Sequence, residues 1–192
     1  MEENSDNFIK ILEGGGVVVM PTDTLYGILG SALNKSIVER IYQIRKRRVD
    51  KPCIILIGSI AELEKFSIYP SLAQKNTIEK YWPASPSLGG PGPVSIVLDC
   101  AEDSFSYLHR GTNSLAFRMP RPPALRDLLL KVGPLIAPSA NPEGLPPAQT
   151  ILEAKDYFGD SVDLYLDGGT LSGEASKIIR LTSDGTESVL RE

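Results

Sequence analysis

Histidine, cysteine and tryptophan are nearly missing from this chain: 192 residues contain one histidine, two cysteines and one tryptophan. Cys53 lies in an aliphatic run and Cys100 near a predicted strand end, so neither a disulfide framework nor a CxxC metal site can be built, and a reducing compartment fits. With His109 as its single histidine, any Ser-His-Asp triad or histidine metal cluster would have to pass through that residue, whose ordinary reading is a loop histidine. No 18 apolar residues run together, and "MEENSDNFIK" carries acids where a secretory leader needs cations. Membrane spanning and secretion are therefore not expected, and a cytoplasmic location is. The familiar nucleotide loops are missing as well. No GxGxxG follows a strand, no GxxxxGK[ST] occurs, and "GGPG" has the wrong flanks for either.

What remains is an ordinary globular composition, with 42% hydrophobic residues and a net charge of −4. The length favours a single domain over 1–192, with residues 1–7 expected to be flexible. The acidic balance argues against a protein that coats polyanions, so any basic site has to be local. "VVVM" and "CIILI" read as strands buried on both faces; "VSIVL", "SLAFRMP", "PLIAP", "DLYLDGG", "SKIIRL" and "ESVLR" continue the series. Ser36 and Glu39 form a capping box ahead of Ile37, Ile41 and Ile44, which predicts a helix from 36 to about 47. Helices are also expected around 61–66, 71–82, in "PALRDLLLKV", and after the Thr150/Glu153 capping box. "ASPSLGGPGP" reads as a loop, making 83–92 an insertion at a strand entrance. The sum is a mixed α/β domain of about seven strands.

Four stretches carry candidate chemistry. "VVVMPTDTLYGI" puts Thr22, Thr24 and Tyr26 at a strand's carboxyl end, where open α/β sheets bind ligands; a helix N-cap by Asp23 or Thr24 is the alternative. Arg45, Lys46, Arg47 and Arg48 are successive cations at a predicted helix end. One or two would complement the helix dipole, whereas four in one turn repel unless a polyanion binds. "APSANPEG" offers the Ser139 hydroxyl and Asn141 amide, either to a ligand or to a turn cap. Arg118 stands among apolar strand residues and, if it points inward, needs an anionic partner. "DGG" at 167–169 is most simply a turn.

Taken together, "PTDTLYGI", "IRKRRVDKP", "GPVSIVL", "SLAFRMP", "PLIAPSANPEGLPP" and "ASKIIRL" resemble, in order and spacing over about residues 8 to 191, the YrdC/TsaC family of L-threonylcarbamoyladenylate synthases. The likeness is to the short form, without the extra C-terminal domain of longer members. It implies a YrdC-like twisted mixed sheet flanked by helices, with a concave, positively charged groove. It implies a nucleotidyltransferase that converts L-threonine, bicarbonate or CO2 and ATP to threonylcarbamoyl-AMP and pyrophosphate. The product feeds N6-threonylcarbamoyladenosine formation in tRNA through a separate transferase complex. Carried over by motif, the resemblance assigns catalysis to Arg45, Lys46 and Arg47. Threonine binding falls to Thr24, Arg118 and Ser176, and ATP binding to Arg47, Lys51, Ser114, Ser139, Asn141 and Arg191. Mg2+ is expected to arrive with ATP, with no protein side chain as its ligand.

The chemistry suits such residues, because a carbamate attacking the α-phosphorus mainly requires alignment and neutralisation of phosphate charge. Two other functions fit the same motifs: a tRNA or double-stranded RNA binding module without catalysis, and a carbamoyl-transfer module. This chain departs from the family pattern at Arg45, which replaces a lysine, at Arg48, which replaces a proline, at Pro147, which replaces a serine or threonine, and in the 83–91 insertion.

Overall fold

The computed structural model describes residues 2–83 and 92–192; the expected insertion at 83–92 thus lies almost wholly outside the described residues. Helix α1 (Glu2–Glu13) takes up the segment expected to be flexible, being helical from Glu2 onward. A hairpin follows, β1 (Val18–Pro21) and β2 (Tyr26–Ser31), then α2 (Lys35–Ile44) and β3 (Ile54–Leu56). After a 3-10 turn over Ile60–Phe66 come α3 (Leu72–Tyr81), β4 (Val94–Asp99), the short α4 (Ser106–His109) and β5 (Ser114–Arg118). The chain closes with α5 (Pro123–Val132), β6 (Leu135–Ile136), α6 (Ile151–Phe158), β7 (Leu164–Tyr165), β8 (Lys177–Leu181) and β9 (Glu187–Arg191).

The strands form one mixed sheet of nine in the order β7-β1-β2-β6-β3-β5-β4-β8-β9. That is more than the seven or so expected. The unforeseen strand is β2, whose two glycines argue against a strand on propensity alone. Tertiary packing overrides them: a Cβ on Gly30 would come within 2.5 Å of Ile37, so the glycine lets α2 lie directly against the sheet. Along residues 17–20, leading into and through β1, the side chains alternate between two cores. Val17 and Val19 join the larger one beneath α2, α3 and α6, while Val18 and Met20 join the smaller one beneath α1 and α5. This confirms "VVVM" as doubly buried.

Helix α2 starts and ends earlier than its sequence pattern suggests. Its N-cap is Asn34, whose side chain accepts the N–H groups of Ser36 and Ile37, so the Ser36/Glu39 capping box does not form. It ends at Ile44, with Arg45 as C-cap and Lys46 in the left-handed region at φ 50°. That turn breaks the basic run into residues pointing in different directions. In α6, Thr150 accepts the Glu153 N–H as expected, but the Glu153 carboxylate receives the N–H of Gln149 in place of that of Thr150.

One consequence of this layering positions the site. The core under α1 and α5 draws its strand residues from β1, β2, β3 and β6, none from β5, β4 or β8. On that same face, Ile54, Ala116 and Ile178 stay only half-buried. Paired residues of neighbouring strands point to the same side of a sheet, and Arg118 pairs with Leu56, a member of that core. The guanidinium therefore enters the part of the face that no helix covers.

Candidate active site

A groove of about 320 Å³ occupies this uncovered face, bounded by the turn between β1 and β2, the entrance to β3, the end of β5, the loop after β6 and the start of β8. Among its described lining residues are three arginines, Arg47, Arg118 and Arg191, and no carboxylate. Thr24, Ser139 and Ser176 supply hydroxyls to the same walls.

The turn 22–25 is fixed by its own side chains. Thr22 Oγ1 donates to the Leu25 carbonyl (2.8 Å) and accepts the N–H groups of Thr24 (3.2 Å) and Leu25 (3.3 Å). Thr24 Oγ1 lies 3.0 Å from Thr22 Oγ1 and accepts Arg118 Nη2 at 3.3 Å. The alternative of a helix N-cap fails because a strand follows. Gly27 leaves room for this turn, since a Cβ there would crowd Thr22 and Leu29 at 3.1 and 3.0 Å.

The loop 167–176 is pulled down over the same turn. Tyr26 donates its hydroxyl to the Gly169 carbonyl (2.8 Å) and accepts the Gly168 N–H (2.8 Å); burial pushes its pKa up. A Cβ on Gly173 would stand 2.2 Å from the Thr24 carbonyl, so only glycine lets the loop pass there. The loop delivers Ser176, whose hydroxyl meets that of Ser95 at 2.8 Å and whose carbonyl receives Nε and Nη2 of Arg191 at 3.1 and 2.6 Å. Burial lowers the Arg191 pKa.

The four successive cations divide. Arg45 is 2% exposed and lies outside the groove lining. Two of its three nitrogens are bonded inside the protein: Nε donates to the Asn141 carbonyl (2.9 Å), and Nη2 to Asn141 Oδ1 (3.1 Å) and Ser139 Oγ (3.4 Å), while Nη1 is buried with no hydrogen-bond partner among the described residues. Burial, seconded by the charge of Arg47, lowers its pKa to about 10. Lys46 is exposed and borders no wall of the groove. Arg47 does line it, held by the carbonyls of Lys51 (3.1 Å) and Pro52 (2.8 Å). Arg48 pairs with Asp50 at the surface.

Of the remaining expected residues, Ser139 reaches the groove and Asn141 does not. Asn141 is buried, accepts the Ser139 hydroxyl (2.7 Å) and donates to the carbonyls of Pro142 (3.0 Å) and Leu145 (2.6 Å), so its amide shapes the loop. Lys51 is exposed and ion-paired with Glu143, outside the lining. Ser114 shares the face of Arg118 but opens the other end of β5, roughly 13 Å away along the strand, with its hydroxyl on Thr112 (3.3 Å). His109 ends α4 as a buried residue rather than a loop one, accepting the Gly111 N–H at Nδ1 (3.1 Å). Sequence reasoning missed Asp23 as the partner of Arg118, Ser95 as the partner of Ser176, and Glu143. Only Asp23 carried a signal, being the acid within "PTDT". Among the described residues no group of three or more His, Cys, Asp or Glu side chains could hold a metal, and no helix is long and apolar enough to cross a membrane.

A twisted mixed sheet with an arginine- and hydroxyl-lined groove on its uncovered face defines a class of small-ligand binding α/β domains. Comparison narrows this to one family. Residues 10–192 match the family described as "Telomere recombination", the Sua5/YciO/YrdC group, and the chain belongs to it. A threonylcarbamoyl-AMP synthase of Nitrosococcus oceani is 31% identical over 162 residues, covering 84% of this chain and 83% of the relative. The structure of Pyrococcus abyssi Sua5 complexed with L-threonine superposes with a TM-score of 0.85 at 27% identity, covering all of this chain and 54% of the other. The chain thus spans about half the length of that archaeal protein. Escherichia coli YciO shares the fold, with a TM-score of 0.81 at 24% identity over 90% of its own length.

Proposed function

We propose that this protein is an L-threonylcarbamoyl-AMP synthase, a nucleotidyltransferase acting in tRNA modification. One observation carries the reading. Thr24, Arg47, Arg118, Ser139, Ser176 and Arg191 all line one groove, in which Arg118 bonds to Thr24 and Arg191 to Ser176. This supports an amino acid carboxylate on Arg118 with its hydroxyl toward Thr24 or Ser176, and a triphosphate along Arg47, Ser139 and Arg191. The names borne by the relatives fit the same reading.

In the reaction, the threonine amine adds to CO2 derived from bicarbonate and loses a proton, giving a carbamate anion. A carbamate oxygen then forms a bond to the α-phosphorus of ATP while the bond from that phosphorus to the bridging oxygen of pyrophosphate breaks. The side chains present perform positioning and charge neutralisation, which suffice for such displacements. Arg47, anchored through two nitrogens on backbone carbonyls, would face the phosphates in a fixed orientation, as preorganised stabilisation requires. Arg45, one position of the expected catalytic motif, acts in this reading through the Ser139 and Asn141 loop. Mg2+ enters with ATP as the counter-ion of its phosphates. The product would pass to a transferase complex that modifies tRNA.

Purified protein incubated with ATP, bicarbonate and L-threonine should release pyrophosphate in a threonine-dependent manner and yield a threonine-derived adenylate. Pyrophosphate release that is indifferent to threonine, or no release with all three present, rules the reading out.

A further inference from the structure

The most enclosed ion pair among the described residues joins Arg118 to Asp23. Nη2 and Oδ1 are 3.0 Å apart, and each side chain is 4% exposed. Asp23 Oδ2 and Arg118 Nε are buried with no hydrogen-bond partner among the described residues. A buried carboxylate normally collects donors, because leaving it without them is costly. This one retains acceptor capacity that the protein does not use.

The surroundings say what it faces. Arg118 lines the groove, and Asp23 borders an adjoining recess of about 410 Å³; Thr24 and Ala175 line both hollows. The pair therefore stands at the partition. Glu174 and Glu192 also border the recess, but both are exposed and Glu192 is paired with Lys177 at 2.9 Å. The charges of Arg191 and Arg126 reach the same corner, Arg191 opposing Arg118 and Arg126 being favoured by Asp23. Without Asp23 the corner would hold guanidiniums alone and attract any anion. A guanidinium and a carboxylate in contact match the two charges of a free amino acid, whose carboxylate and ammonium sit on one carbon.

We propose that Asp23 is the specificity-determining residue of this corner: it supplies the negative charge opposite a ligand's ammonium while Arg118 takes the carboxylate. The site thereby selects a zwitterionic amino acid over a simple carboxylic acid. The inference rests on the reading that the groove takes L-threonine, and adds how the amino acid is told from its deaminated analogue.

The test is calorimetric titration of L-threonine and of 3-hydroxybutyrate, which is threonine without its amino group, into wild type, Asp23→Asn and Asp23→Glu. Wild type should prefer L-threonine by about tenfold or more, since a site built around a polar group rejects the analogue lacking it. Asp23→Asn should lose most of that preference by weakening L-threonine alone, with 3-hydroxybutyrate binding kept or improved, and Asp23→Glu should restore part of it. Equal binding of both ligands by wild type overturns the proposal without any variant. So does an equal loss of both in Asp23→Asn, which would mark Asp23 as a prop for Arg118. If wild type binds ATP but neither acid, the threonine reading itself falls and this proposal with it.

Discussion

Arg45 and Arg118 are both buried arginines, one at the end of α2 and the other at the end of β5, yet the protein satisfies them in opposite ways. Arg118 meets a carboxylate, Asp23, and the Thr24 hydroxyl, and it lines the groove. Arg45 meets neutral groups, the carbonyl and amide oxygens of Asn141 and the hydroxyl of Ser139, and does not reach the groove. The difference teaches that burial alone does not mark an arginine as functional. What matters is where the guanidinium stands: one bonded through Nε and Nη2 to a single loop, away from the groove, is a structural brace, whereas one that lines the groove beside a carboxylate is placed to meet a ligand.

The comparison can be broken by truncation, with thermal stability as the common scale. Arg118→Ala should have the largest effect, because it strands the Asp23 carboxylate in the interior; losing one partner of a buried pair costs about 3–5 kcal/mol. Melting followed by circular dichroism should show it, and the double variant with Asp23→Asn should recover much of the loss. No recovery would mean that the pair is not the source. Arg45→Ala should follow, at about 1–3 kcal/mol, since it leaves buried oxygens of Asn141 without their donors. Arg45→Lys should regain little of it, because an ammonium cannot reach the carbonyl and the amide oxygen together as the fork does.

Arg47→Ala sharpens the contrast from the other side. Its side chain is half-exposed and tied only to two carbonyls, so the stability cost should be about 1 kcal/mol or less. Threonine-dependent pyrophosphate release should nevertheless fall by about 10²–10³, the scale of a lost preorganised donor. A melting loss as large as that of Arg45→Ala would reassign Arg47 to the brace.

These roles were only partly legible in the sequence. Elements specified by local pattern could be read directly: the doubly buried "VVVM", the leucine face of α5, the Thr150 cap. Strand β2 could not, because Gly27 and Gly30 answer to the Thr22 turn and to α2, contacts that propensity does not see. The groove residues Thr24, Arg47, Arg118, Ser139, Ser176 and Arg191 were each marked by motif, and all line one hollow. The basic run misled because adjacency in sequence suggested one surface. The helix stops at Ile44 and Lys46 turns left-handed, so consecutive cations point inward, outward and toward the groove. Asp23 was read as a possible cap since its partner lies far along the chain, and alternation could not say which way Arg118 faced.

The smallest effect concerns how the basic turn itself is held. The Glu143 carboxylate accepts the Arg48 N–H and pairs with Lys51, while the Glu143 N–H donates to the Arg45 carbonyl at 2.8 Å. The bond from Lys51, then that from the Arg48 N–H, holds its pKa below the usual glutamate value. A carboxyl whose folded pKa is depressed contributes stability that is present above its unfolded pKa and lost as pH falls through the folded one. Melting temperature should therefore drop on going from about pH 5 to pH 3, and Glu143→Gln should flatten that slope while leaving the neutral-pH value slightly lower. The pair is exposed to solvent, so salt at about 1 M should mimic part of the substitution. Since Arg47 lies between the residues that Glu143 clamps, the same variant should lower threonine-dependent turnover more than it lowers stability; equal, small changes in both would show that Arg47 is oriented by its own carbonyl contacts and not by this clamp.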